Sequence, residues 1–330
     1  MGGTVVKIFK IAAVMAVACT AALPALAQEL KFANFTPPFH TINASVIEKL
    51  NSELSAATGG ELTVRGYHGG ELGKGPVEQY VRALQGAADI TWGLPGYTSS
   101  QFGKTMIAEL PGVIPTGEPG YEVIWNVFDD HLAGEFPGTK ALAIWTSEPN
   151  IMIMKDHEIR TPADLAGLKI RVAGATAAEV ASALGATPVQ MPINEVYNAL
   201  QTGLIDGVFT GGSTLSDFKL DEVANSYTLG APLGRLTFFT VMNQGVYDGL
   251  SDKAKAAVDA VSGKPLSKSA EDAWNVTADA AIKAARETGD NTVIDLDAEQ
   301  AAAFAKLLEP VNAKYVASVS GEDTLSAIAK

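Results

Sequence analysis

The sequence predicts an α/β fold in two domains with largely parallel sheets. Alternating strand and helix signals run through residues 30–97 and return in residues 161–212. With residues 1–27 set aside as a leader, 303 residues remain, enough for two separate cores. No low-complexity linker divides the two stretches, so the chain is expected to cross between its domains more than once.

The leader has the layout of a secretory signal. Lys7 and Lys10 form a short basic region, Ile11 to Cys19 is apolar, and Ala25-Leu26-Ala27 is a small-x-small cleavage site. Cleavage is expected after Ala27. The apolar run is shorter than the roughly 20 residues of a spanning helix. A lipoprotein reading would need Cys19, but Ala16-Val17-Ala18 lacks the usual large aliphatic residue before it. Cys19 is the one cysteine, so the mature chain offers no disulfide, thiolate metal site or cysteine nucleophile. An exported chain without disulfides fits a bacterial periplasm. Losing Lys7 and Lys10 takes the formal net charge from −13 to −15, which disfavours nucleic acid as a partner. A local cation in a dry cleft can still bind an anion, because diffuse surface charge is screened.

Leu30 to Ala33 reads as a strand, ended by Pro37-Pro38. His40 to Thr58 reads as an amphipathic helix with Ile42, Val46, Ile47, Leu50 and Leu54 on one face, closed by Gly59-Gly60. Glu61 to Tyr67 alternates as a strand, Pro76 opens a helix that Gly86 stops, and Ala88 to Trp92 is a short strand followed by a loop through Tyr97. In the second stretch, Thr161-Pro162-Ala163-Asp164 is a helix start, with an N-cap, a first-turn proline and an acid. Leu168 to Val172 is a strand, Ala175 to Leu184 a helix and Thr187 to Met191 extended. Asn194 caps a helix through Gln201, and Ile205 to Phe209 is the next strand. Phe238 to Asn243 is an apolar strand, and from Asp252 onward the pattern is almost all helical.

Catalytic patterns are poorly represented. Gly103-Lys104-Thr105 resembles the end of a phosphate loop, but six residues separate Gly96 from Gly103 where four are needed. The loop at 69–75 places Gly75 after Lys74, where Ser or Thr should stand. Gly211-Gly212-Ser213-Thr214-Leu215 lacks the second glycine of a nucleophile elbow. His40, His68, His131 and His157 are scattered, so no zinc motif forms and no metal or other cofactor is expected. A periplasmic hydrolase acting through Ser213 is a residual alternative.

The remaining constellation suits binding. Ligands sit at strand carboxyl ends in open α/β sheets. Phe35, Phe39 and His40 follow the first strand, Trp92 and Tyr97 belong to the third, and Phe209 and Thr210 end a strand of the second domain. Trp145 and Glu148 lie beside an expected crossing at Ala143 to Asn150. Arg171 ends a short strand and is always charged, with a fork that matches a carboxylate. Taken alone, Arg171 reads equally as an internally paired arginine, and Trp92 and Trp145 read first as core.

Three segments break that tie by resemblance. Asp164-Leu-Ala-Gly-Leu-Lys-Ile-Arg-Val172, then Leu184-Gly-Ala-Thr-Pro188, then Asn194 through Gly207 resemble the periplasmic substrate-binding proteins of tripartite ATP-independent (TRAP) transporters, in particular the dicarboxylate-type, DctP-like family. Glu71-Leu72-Gly73 and Met242-Asn243 also fit, and the likeness covers nearly the whole mature chain. The resemblance implies a two-domain periplasmic-binding-protein-like fold: hinged α/β domains joined by crossing strands and a long helix, closing on one ligand. It implies that Arg171 meets a ligand carboxylate and that Thr210 is a polar contact. Ile193 stands where an aromatic often lines the cleft, and Ile151 where some organic-acid binders carry a second arginine. A monocarboxylate is therefore expected, or a zwitterion whose ammonium meets Glu148. The resemblance also implies delivery to TRAP membrane subunits and uptake driven by an ion gradient. Presentation of the ligand to a sensor protein is the alternative within the same class. The expected domains are residues 28–148 with 237–276, and 149–236 with 277–304, followed by a helical tail at 305–330.

Overall fold

Eleven strands divide between two sheets in the computed structural model, which describes residues 1–2, 27–115 and 117–329. The expected signal, with Cys19, lies over residues 3–26 outside the described residues. In chain order the strands are β1 (Gln28–Ala33), β2 (Leu62–Tyr67), β3 (Ile90–Gly93), β4 (Thr139–Thr146), β5 (Ile151–Met154), β6 (Lys169–Val172), β7 (Thr187–Gln190), β8 (Gly207–Thr210), β9 (Ser226–Leu229), β10 (Thr237–Asn243) and β11 (Thr292–Asp295). The first sheet has the order β2-β1-β3-β10-β4 and the second β11-β9-β5-β8-β6-β7. β1 shows why it pairs on both sides: Leu30 and Phe32 are buried while Glu29 and Lys31 face solvent. β5, Ile-Met-Ile-Met, is buried throughout at the middle of its sheet. Among the described residues no helix is long and apolar enough to cross a membrane.

Both sheets are largely parallel, as expected, but each carries one reversed strand. β10 runs antiparallel to β3 and β4, and β5 antiparallel to β8 and β9. The reason lies in the crossings. β4 leads through Ser147–Asn150 into β5, and β9 leads through residues 230–236 into β10. A strand that enters its sheet from the crossing starts where the parallel strands β1, β3, β6 and β8 end. Those carboxyl ends therefore converge on the junction.

Three local readings also change. The helix expected from Asn194 spans Ile193–Thr202 with Pro192 at its N-cap. The helix expected from His40 is a wide π-type turn over Asn43–Glu48 that continues as an α-helix over Lys49–Thr58. The helical tail is interrupted by β11, a β-branched run after Gly289 that pairs in parallel with β9. The Thr161–Asp164 capping box is present, on a short 3₁₀ turn. Helix Ala298–Ser318 runs unbroken through residue 305, where the tail was expected to begin.

One long helix, Lys264–Thr288, ties the halves together. Its 25 residues span roughly 37 Å at 1.5 Å each. Leu266, Ala270, Trp274, Ala278, Ala281 and Ala285 form its buried face. That face packs on β4 and residues 43–48 toward one end and on residues 214–217 and β11 toward the other. Glu271 on this helix accepts from the N–H groups of Gly120, Tyr121 and Thr146 at 2.7, 2.9 and 3.0 Å. It thereby serves the open N-terminus of helix Gly120–Val127 and pins the last residue of β4.

Glu109 is the second buried carboxylate at the junction. Its oxygens accept from the Thr176 hydroxyl at 2.6 Å and the Thr237 N–H at 3.1 Å, and burial pushes its pKa up to about 7. Gly234 lies against the same residue: its φ is +77°, and a Cβ there would sit 1.9 Å from the Glu109 carbonyl oxygen. Below about pH 4 Glu109 is protonated in both the folded and unfolded chain. As pH rises through 4.5 toward 7 the unfolded chain ionises first, so stability falls across that window. The loss reaches about 3 kcal/mol at most above pH 8. Glu109→Gln can still accept from the Thr237 N–H, can donate its amide to the Thr176 hydroxyl, and cannot ionise. Its unfolding free energy should therefore decline less than the wild type's between pH 5 and 8, as read by urea titration. An unchanged slope would show that Glu109 is not the titrating group.

Candidate functional site

Arg171 sits in β6 with 1% of its surface exposed. Its Nε donates to the Met191 carbonyl at 2.9 Å and its Nη2 to the Tyr97 hydroxyl at 3.2 Å. No carboxylate pairs with it among the described residues, and burial lowers its pKa from the usual value. A buried guanidinium without a counter-charge is costly unless an anion arrives. Tyr97 belongs to the other half of the molecule, on the loop after β3. Its oxygen also accepts the Ile193 N–H at 3.0 Å, an orphan donor of the helix that starts there. Two donors occupy the Tyr97 lone pairs, so its own O–H is left to donate. Arg171 and Tyr97 together present hydrogens to one acceptor group.

Around this pair lies a cavity of about 430 Å³, counting its mouth, lined by residues of both halves. Phe35, His40, Trp92, Tyr97, Arg171, Ile193 and Thr210 of the sequence-predicted set all line it. Among the described lining residues Arg171 is the single Lys or Arg. Phe35 stacks on Trp92 at 4.5 Å and 18°, and Trp92 is held by its Nε1–H to Asn34 Oδ1 at 2.9 Å. The Thr210 hydroxyl is buried with no partner among the described residues.

Three of the predicted residues stand elsewhere. Phe209 neighbours Thr210 on β8, and alternate strand residues face opposite sides, so it joins the core beneath the second sheet. Trp145 stands behind the wall, stacked on Phe238 at 5.4 Å and 24°. Glu148 is 6% exposed and lines a separate hollow behind the crossings with Asn150 and Arg235. The Ser213 N–H holds its Oε1 at 2.7 Å, and burial raises its pKa to about 7. An ammonium in the cavity would thus meet a different acid, Asp217. Ile151, where a second arginine was weighed, also lines the rear hollow.

Sequence reading missed Phe218, Leu236, Phe238, Trp274 and Asp217 on the wall. Trp274 carried a signal: it is the one aromatic among the buried residues of the long helix, which are mostly alanine. Phe238 could be placed by strand alternation once β10 is known to be central. Asp217 follows Ser213 in a short turn and carries no local pattern.

The halves meet closely at the mouth. Thr41 donates through its N–H and hydroxyl to Asp217 Oδ1, both at 3.0 Å. Gly96 and Gly174 approach so nearly that a Cβ on Gly174 would lie 2.7 Å from the Gly96 Cα. The lobes are joined here by hydrogen bonds to side chains and by one close backbone approach.

Two hinged α/β lobes shut over a small aromatic chamber with one cationic anchor define a solute-binding protein. Residues 32–318 match the family model for bacterial extracellular solute-binding protein, family 7, and the chain belongs to that family. It is 26% identical over 314 residues to the C4-dicarboxylate-binding periplasmic protein DctP of Rhodobacter capsulatus, across 93% of this chain and 92% of that one. Its fold is similar to a TRAP solute-binding protein from Rhodoferax ferrireducens in complex with copurified benzoate. There the TM-score is 0.86 at 26% identity, covering 92% of this chain and 97% of that one. A TRAP periplasmic solute-binding protein from Bordetella bronchiseptica with bound (R)- and (S)-mandelate matches with TM-score 0.83 at 27% identity, covering 92% and 98%. The chain is thus a TRAP-type solute-binding protein, the component that works with the transporter's membrane subunits.

The glycine contact generates a test of closure. Gly174→Ala places a methyl against the Gly96 backbone, which cannot yield as a side-chain tip can. Affinity for whichever ligand the wild type holds should fall about tenfold, a cost of ~1.4 kcal/mol in the closed state. Small-angle scattering with saturating ligand should show a larger radius of gyration than the wild-type complex. Equal affinity and equal radius would mean that this contact does not limit closure.

Proposed function

We propose that this protein captures an aromatic monocarboxylate in the periplasm and hands it, enclosed, to the transporter's membrane subunits. The observation that carries the reading is the buried, uncompensated Arg171 at a cavity whose other walls are Phe35, Trp92, Tyr97, Phe238 and Trp274. One guanidinium matches one carboxylate, and the flat apolar walls match a ring. The benzoate and mandelate bound by the two similar structures are acids of this kind. Thr210 and Ile193 complete the contact set, with Ile193 serving as apolar wall. Ligand binding would supply the anion that Arg171 lacks, and closure would exclude the water that otherwise screens the pair.

The domain borders follow from the same reading. The first lobe comprises residues 28–148 with 237–276, the second residues 149–236 with 277–304, and the hinge lies at Ser147–Asn150, residues 230–236 and the long helix. Removal of residues 1–27 by cleavage after Ala27 places the mature chain in the periplasm, and the periplasmic relative supports this. The protein binds without turnover. Ser213 donates its backbone N–H to Glu148, which lines the rear hollow.

Isothermal titration with benzoate tests the anchor. Arg171→Ala should weaken binding at least about thirtyfold, in line with the ~2–5 kcal/mol lost when a buried charge pair is broken. Arg171→Lys should recover only part, because the fork is lost. Wild-type protein that ignores benzoate and mandelate alike would overturn the aromatic-acid reading. Binding that survives Arg171→Ala would overturn the anchor.

A further inference from the structure

The cavity holds a second polar locus, away from Arg171. Asp217 and His40 both line it, with 5% and 3% of their surfaces exposed. Asp217 Oδ1 is occupied by the Thr41 N–H and hydroxyl. Asp217 Oδ2 is buried and has no hydrogen-bond partner among the described residues. The nearest candidate is His40 Nε2, which stops short at 3.7 Å. The tautomer of His40 follows from its other nitrogen. The Ile42 N–H donates to Nδ1 at 3.0 Å, so Nδ1 is the acceptor and the ring proton sits on Nε2. Burial keeps the ring neutral, with a pKa lowered to about 3. Trp92, Phe218 and Trp274 pack against this imidazole at 5.4, 5.1 and 5.5 Å and fix its plane.

One donor and one acceptor therefore lie 3.7 Å apart on residues of the cavity wall, and neither has a hydrogen-bond partner among the described residues. A buried, unpaired carboxylate oxygen is costly, so it implies a partner that arrives with the ligand. The chemistry selects that partner. An ammonium donates to Asp217 but offers no lone pair to His40 Nε2–H. An ether or carbonyl accepts from His40 but leaves Asp217 Oδ2 bare. A hydroxyl does both, donating to Asp217 Oδ2 and accepting from His40 Nε2–H.

We infer that the ligand is a hydroxy-substituted aromatic acid, and that Asp217 and His40 are the residues that select its hydroxyl. This rests on the aromatic-acid reading above and names the substituent that reading leaves open. Arg171 and Tyr97 take the carboxylate, the aromatic walls take the ring, and Asp217 with His40 read the far edge. Sites that hydrogen-bond a substrate hydroxyl discriminate strongly against analogues without it, because the unpaired site groups bear the penalty.

The test is a ratio of dissociation constants, which cancels any general weakening of a variant. Benzoate, 3-hydroxybenzoate, 4-hydroxybenzoate and 3-(aminomethyl)benzoate are titrated into wild type, Asp217→Asn and His40→Phe. In wild type at least one hydroxybenzoate should bind tenfold or more tighter than benzoate, and the ammonium analogue should gain less than that hydroxybenzoate. In Asp217→Asn the carboxylate oxygen is exchanged for an amide, and the hydroxyl advantage should shrink to about threefold or less. His40→Phe keeps an aromatic of similar size and should shrink it as well. Benzoate binding with no hydroxyl advantage would overturn this inference and leave the aromatic-acid reading standing. An advantage that survives both substitutions, or a larger gain from the ammonium, would also overturn it. Wild type that binds none of the four would defeat both readings together.

Discussion

The organising constraint is a guanidinium held out of water without an opposite charge. Arg171 cannot shed its proton, so the fold must supply acceptors or leave the cost unpaid until an anion arrives. It supplies two neutral ones, the Met191 carbonyl and the Tyr97 hydroxyl. Both fix the fork, and neither cancels the charge. Tyr97 comes from the opposite lobe and also serves the first N–H of helix Ile193–Thr202. One phenol thus links anchor orientation, helix capping and lobe closure. The closed geometry and the binding geometry are the same set of contacts.

A second group of acids works differently. Glu109 and Glu271 are also buried at the junction, but backbone N–H groups and hydroxyls occupy their oxygens. Their task is to hold the crossing segments in register. Asp217 stands between the two kinds: one oxygen is bound to Thr41 and the other is open. The contrast separates acids whose oxygens are all engaged in the scaffold from an acid at the cavity wall with one oxygen unpartnered.

Much of this was legible in the sequence, and the boundary of legibility has physical causes. Hydrophobic periodicity and glycine stops marked most strands and helices, because those signals are local. Phe35, Trp92, Tyr97, Arg171 and Thr210 were accessible because α/β sheets gather ligands at strand carboxyl ends. The antiparallel insertion of β5 and β10 was not accessible, since strand direction depends on which lobe the chain arrives from. Asp217, Phe218 and Trp274 reach the cavity only through tertiary packing, so no spacing announces them. Glu148 and Trp145 were misplaced by a few ångströms of depth, because proximity to a crossing does not say which side of it a residue faces.

The place of β10 has a consequence for how the chain is made. This strand, residues 237–243, lies between β3 and β4 and supplies the only link between them within the described part of the sheet. The amino-terminal sheet therefore stays incomplete until more than two hundred further residues have followed β1. Glu271 adds a later requirement, since it joins residues 120, 121 and 146 from still further along the chain. Closing such distant contacts is entropically slow. The nascent chain consequently cannot complete this sheet until late in its synthesis.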